Sequence, residues 1–191
     1  MLTQIKFLTA GESHGMGLLG ILDGIPAELD ISEDYIGRQL KRRQMGYGRG
    51  GRMKIETDHA EIWCGVRHGK TIGAPVGLIV RNKDWKNWTN KMSVTPVQDD
   101  IRKVTLPRPG HADLAGIQKY GFDDIRNVLE RSSARETTMR VALGSICRKL
   151  LEEIGIEVGS RVIEIHNVKD ESSIPDNLMP NQLSEMADTS P

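Results

Sequence analysis

Apolar residues gather in short runs near the start of the chain. Residues 5–9 (Ile-Lys-Phe-Leu-Thr) read as a strand running into a glycine-rich turn, and residues 18–22 as a second, closed by the turn signal Asp23-Gly24-Ile25-Pro26. Ser32 followed by Glu33 and Asp34 predicts a helix start, with a capping hydroxyl and acids in the positive first turn, and the helix should run to about Gln44. Gly46, Gly48, Gly50 and Gly51 break regular structure beyond it. Strands should resume at residues 62–66 and 76–80, with an irregular excursion over 83–97. The strongest helical signal begins at Ser133-Ala134-Arg135-Glu136, which reads as a capping box. Met139, Leu143, Ile146, Leu150 and Ile154 mark one face of that helix, and Gly155 ends it. A β-rich stretch is expected over 157–168, before a polar tail. Strands and helices interleave without a regular βαβ rhythm, so the fold class is α+β, with residues 1–191 read as a single domain.

Composition narrows the function. Lys+Arg and Asp+Glu are both 26, which argues against a globally basic nucleic-acid binder. Cys64 and Cys147 belong to no Cys-x-x-Cys pair and are expected as reduced, buried thiols. The five histidines (His14, His59, His68, His111 and His166) show no metal-ligand spacing, so no metal is expected. Neither a signal peptide nor a span of 18 apolar residues is read from the sequence, making cytoplasmic placement and no membrane partner the expectation.

Four segments carry candidate chemistry. Gly11-Glu12-Ser13-His14-Gly15 puts a histidine on a tight turn, suited to proton transfer or simply solvated; although its letters match Gly-x-Ser-x-Gly, Ser13 is read as a poor candidate for a hydrolase nucleophile. Residues 38–54 hold Arg38, Lys41, Arg42, Arg43, Arg49, Arg52 and Lys54 and no acid, which suits a small polyanion. A solvated face or an RNA-binding module using this Arg38 to Lys54 loop are the alternatives. In Arg108-Pro109-Gly110-His111-Ala112-Asp113 a turn presents Arg108 and His111, or merely satisfies backbone groups. Glu130-Arg131-Ser132-Ser133-Ala134-Arg135-Glu136-Thr137 sets hydroxyls and arginines at a helix start, where anions are attracted and where Ser133 also serves as a cap. Trp63, Trp85 and Trp88 are expected in the core or an interface.

In this order and spacing, the four segments resemble the signatures of the chorismate synthase family, with Met16 the main local departure. The resemblance implies a lyase of the shikimate pathway of aromatic amino acid biosynthesis. Its reaction is the anti-1,4-elimination of phosphate from 5-enolpyruvylshikimate 3-phosphate (EPSP), without net redox change but dependent on reduced FMN. It implies His14 and His111 as the acid–base pair, and Ser13, Arg43, Arg49, Arg52, Arg108 and Arg135 as substrate-binding residues. Arg131, Ser132 and Ser133 would then hold FMN, with Arg43 and Arg49 open to a nicotinamide nucleotide (NADP) and NADPH as reductant. The implied fold is a β-α-β sandwich, helices between antiparallel sheets, in a homotetramer. Because members are considerably longer, the chain is expected to correspond to their N-terminal portion and to be inactive alone.

Overall fold

The computed structural model describes residues 5–45, 55–160, 162–171, 179 and 182. Its centre is a four-stranded antiparallel sheet in the order β1-β2-β6-β3, formed by β1 (Lys6–Gly11), β2 (Gly17–Asp23), β3 (Ala60–Cys64) and β6 (Val76–Arg81). Two-residue strands β4 (Val66–Arg67) and β5 (Lys70–Thr71) form a small hairpin between β3 and β6. The apolar run of β2 divides between the two faces of the sheet. Leu18, Leu22, Val76, Leu78 and Val80 are buried on one face, while Leu19 and Ile21 are 49% exposed on the other.

Two helices cover the buried face. In α1 (Glu33–Gln44), the Ser32 hydroxyl accepts the Tyr35 N–H at 3.2 Å, acids fill the first turn and Lys41, Arg42 and Arg43 the last. Ile36 and Leu40 point from it into the core. From α4 (Thr137–Glu153) come Met139, Ala142, Leu143 and Ile146, all buried. Each of these Leu, Ile and Met side chains contributes about 1.5–3 kcal/mol by leaving water, so the helix–sheet seam is a main source of stability. The seam is close at Gly20 of β2, where an added Cβ would stand 2.5 Å from the Met139 Sδ. Across the helices, Tyr35 donates to Glu152 at 2.8 Å; burial first, and that acceptor second, push its phenol up to about 12.

Two short helices were not read in the sequence: α2 (Asp113–Tyr120) and α3 (Arg126–Arg131). They pack so closely that a Cβ on Gly116 would come 2.3 Å from the Val128 Cγ1. Other expectations need correction. Ser133 caps a 3-10 turn (Ala134–Glu136) instead of α4 itself, and Glu136 turns to Thr9 and Arg140 rather than closing a capping box. The β-rich stretch contracts to an exposed hairpin, β7 (Glu164–Ile165) with β8 (Val168–Lys169). Ile154 is 65% exposed beyond the helix end, and Gly155 takes the expected left-handed φ of 75°. Cys64 is exposed rather than buried; both thiols are free, and burial raises that of Cys147. Trp63 is 62% exposed, and Trp85 and Trp88 are half-buried.

A candidate acid–base site at the end of the sheet

The turn after β1 is gripped from three sides. Gly11 begins it at φ 101°, with the Gly17 carbonyl only 2.3 Å from where a Cβ would sit, so a side chain there is excluded twice over. Asn82, 5% exposed, directs its amide N–H group at the carbonyls of Glu12 (3.1 Å), Ser13 (3.1 Å) and Gly15 (2.8 Å). Its oxygen accepts from Arg135 Nε at 3.0 Å, which fixes which way the amide faces. From the opposite side the backbone carbonyl of Glu130 accepts the Ser13 N–H at 3.0 Å, and its carboxylate accepts the His14 N–H at 2.8 Å.

The His14 ring is thereby placed, not merely solvated. Its Nδ1 lies 2.9 Å from both carboxylate oxygens of Glu130, and the ring stacks on Trp88 with centroids 3.8 Å apart. The side chain is 23% exposed, and among the described residues its Nε2 makes no hydrogen bond. Ser13 is 3% exposed and faces into the protein.

Arg135 is 6% exposed. It pairs with Asp58 through Nη1, and its Nη2 lies 3.6 Å from the Glu56 carboxylate without a hydrogen-bond partner. Arg43 reaches the same Asp58 at 3.2 Å while also donating to Thr137 Oγ1 and the Ala134 carbonyl. Asp58 thus joins Arg43 to Arg135. Beside them Arg131 donates to the Thr9 carbonyl at 2.8 Å, and with Ser132, Ser133, Glu136 and Arg140 it lines an open cavity of about 200 Å³. Burial works to raise Glu136, yet hydrogen bonds from Arg140 and Thr9 hold its carboxyl below the usual range. The cavity therefore keeps one anion and two cations. It fits a phosphate or the polar edge of a flavin, but not a whole isoalloxazine, since sites enclosing such ligands run to about 300–1,000 Å³.

Arg108 and His111 form a second cluster at the start of α2. Buried Asp113 accepts from the Arg108 backbone and Nε, both at 3.0 Å, and is paired with His111 Nδ1. The Arg108 side chain stays 52% exposed. No hydrogen bond or ion pair joins this cluster to His14 among the described residues; the connection is through α2 packing on α3, which carries Glu130. Arg49 and Arg52 lie outside the described residues. The hydrogen bonds from Arg108 outweigh burial and hold the Asp113 carboxyl near 2, down from 3.8. Its stabilising effect should be complete above pH 3.8 and lost as pH falls through about 2. Following the Asp113 carboxyl carbon by NMR during acid titration checks this; a midpoint near the ordinary value would contradict it.

The profile of the family described as chorismate synthase matches residues 5–190. The chain belongs to the chorismate synthase family. A relative named chorismate synthase from Enterococcus faecalis is 57% identical over 189 residues, 97% of this chain and 48% of the relative. One from Aquifex aeolicus is 55% identical, with 90% of this chain and 44% of the relative covered. A crystal structure of a chorismate synthase superposes with a TM-score of 0.68 at 45% identity, over 90% of this chain and 41% of the other. The chain spans about half the length of the curated relatives it matches. The α+β class stands with that structural likeness.

Sequence reasoning assigned no role to Glu130, Asn82, Asp58, Glu56 or Trp88. Glu130 opens the fourth candidate segment, and its position there was the only available hint. Nothing local marks Asn82 or Asp58, whose partners lie 53 and 77 residues away at Arg135.

Proposed function

We propose that this chain supplies the acid–base and anion-binding part of a chorismate synthase, a lyase that forms chorismate from EPSP. The observation that carries the reading is the junction of two separate signatures. The Gly11–Gly15 turn is held by Glu130, and Arg131 binds Thr9 on the strand leading into that turn. A placed imidazole and an anion-attracting cavity thus share one end of the sheet.

In the elimination, the ring C–O bond to phosphate breaks, a ring proton leaves, and a second ring double bond forms. Reduced FMN, when bound, supplies electron density for the C–O cleavage, and Arg131, Ser132 and Ser133 would hold its polar edge. His14 offers Nε2 for the proton that moves, and His111 is the second such group, oriented by Asp113. Of Arg43, Arg108 and Arg135, Arg108 is more than half exposed and the most open to a substrate carboxylate or the leaving phosphate. Arg43 and Arg135 already satisfy Asp58, so substrate contact by them means sharing or exchanging those partners. Arg49 and Arg52 complete the proposed anion set. A nicotinamide nucleotide at Arg43 and Arg49, with NADPH as reductant, is an extension with no structural observation behind it.

Homotetramer assembly and a cytoplasmic setting belong to the same reading. The uncovered sheet face bearing Leu8, Leu19 and Ile21, 73%, 49% and 49% exposed, supports assembly. No helix among the described residues is long and apolar enough to cross a membrane. The RNA-binding alternative has no observation in its favour. The test is anaerobic incubation of the chain, extended to its relatives' length, with EPSP and reduced FMN. Chorismate and inorganic phosphate should appear in equal amounts with no net flavin oxidation, and absence of both overturns the proposal.

A further inference from the structure

We infer that Glu130 is a positioning residue that fixes His14 as the Nδ1–H tautomer and so makes Nε2 the atom through which its proton moves. Glu130 is 1% exposed, and its side chain has no route to solvent. Three contacts from this one residue converge on the turn: its backbone carbonyl takes the Ser13 N–H, and its carboxylate takes both the His14 N–H and the His14 ring. An ionised carboxylate only accepts hydrogen bonds, so the Nδ1 beside it must carry a hydrogen. The proton that exchanges with a ligand is then confined to Nε2, on the side of the ring away from Glu130.

Two other groups hold the arrangement. Trp88 stacks on the ring and opposes the flip about Cβ–Cγ that would put Cδ2 in place of Nδ1 beside Glu130. Arg126, with Nη1 3.8 Å from Glu130 Oε1 and its carbon 5.6 Å from the Trp88 ring centre, keeps a positive charge beside the carboxylate. A buried carboxylate paired in this way stays an acceptor, and a ring oriented by one loses activity when its tautomer is wrong.

The inference rests on the proposed function for the use made of Nε2, but not for the tautomer, which is measured without substrate. Long-range ¹H–¹⁵N spectra of the chain, recorded above the ring's own titration, should show His14 protonated at Nδ1 and bare at Nε2. Glu130→Gln should shift the ring towards the mixture of tautomers seen in a solvated imidazole. Glu130→Asp, which keeps the charge but is too short to span both N–H groups, should fall between. A wild-type ring protonated at Nε2, or a tautomer unmoved by Glu130→Gln, overturns the assignment; the wild-type spectrum decides even if both variants fail to fold. In the extended enzyme, Glu130→Gln should lower kcat by at least about 10-fold with little change in KM. The expected tautomer with unimpaired turnover in His14→Ala would remove the proposed function alone, whereas the wrong tautomer with turnover lost would remove only the role given to Glu130.

Discussion

Replacing His14 by Ala in the extended enzyme should reduce anaerobic turnover by roughly 10²- to 10⁴-fold, the usual cost of losing a positioned proton donor or acceptor. The same holds for His111→Ala. Both rings are held through Nδ1 by a buried carboxylate, Glu130 in one case and Asp113 in the other. That shared arrangement, on two different elements, distinguishes them from the other histidines. His59 is 61% exposed and pairs with Glu33 at 3.3 Å, while His166 sits on an exposed hairpin turn; Ala at either should leave the rate unchanged. Removing the His14 ring has a structural cost as well, because Glu130 and Trp88 each lose a partner. The expected loss is about 1–3 kcal/mol, so the rate must be normalised to folded protein. If both rings serve one coordinated step, the double variant should lose less than the product of the single losses. Rates near normal for either single variant would remove that histidine from the acid–base pair.

The parts of the fold legible in the sequence were those governed by local rules. The α1 boundaries follow from one hydroxyl, two acids and three bases, and β2 from an apolar run closed by a turn signal, although its apolar residues fall on both faces. What the sequence concealed was set by distant partners. α2 and α3 are 8 and 6 residues long, too short to show an apolar period, and neither has a side-chain cap. Alternation at Val162, Glu164 and His166 suggested a packed strand, but all three are exposed, with no neighbouring strand among the described residues beyond the hairpin itself. The site divides in the same way. Glycine, histidine and arginine spacing located the turn at 11–15 and the segment at 131–137. It could not show that Glu130 grips the turn across 116 residues, or that Arg135 points inward to Asn82.

Arg135→Met should lower stability by about 3–5 kcal/mol, the cost of removing one partner from a buried ion pair. Asp58 is fully buried at its side chain and Glu56 is 2% exposed, so neither carboxylate can turn to water when the guanidinium goes. Arg43 remains on Asp58, and the Lys83 N–H remains on Glu56, which limits the loss without abolishing it. Asn82 also loses the donor that fixes its amide, loosening its hold on the carbonyls of Glu12, Ser13 and Gly15. Arg135→Lys should recover part of the stability only, because one ammonium cannot serve Asp58 and Asn82 together as the planar fork does. Adding Asp58→Asn to Arg135→Met should cost less than the sum of the two single changes, since the second removes the charge that the first leaves bare. Urea unfolding midpoints for the three variants and the double variant supply the measurement. A loss below about 1 kcal/mol in Arg135→Met, the level of an exposed pair, would show that Arg135 is not a keystone of the site. Its contribution would then have to be sought in substrate affinity, as a raised KM in Arg135→Lys.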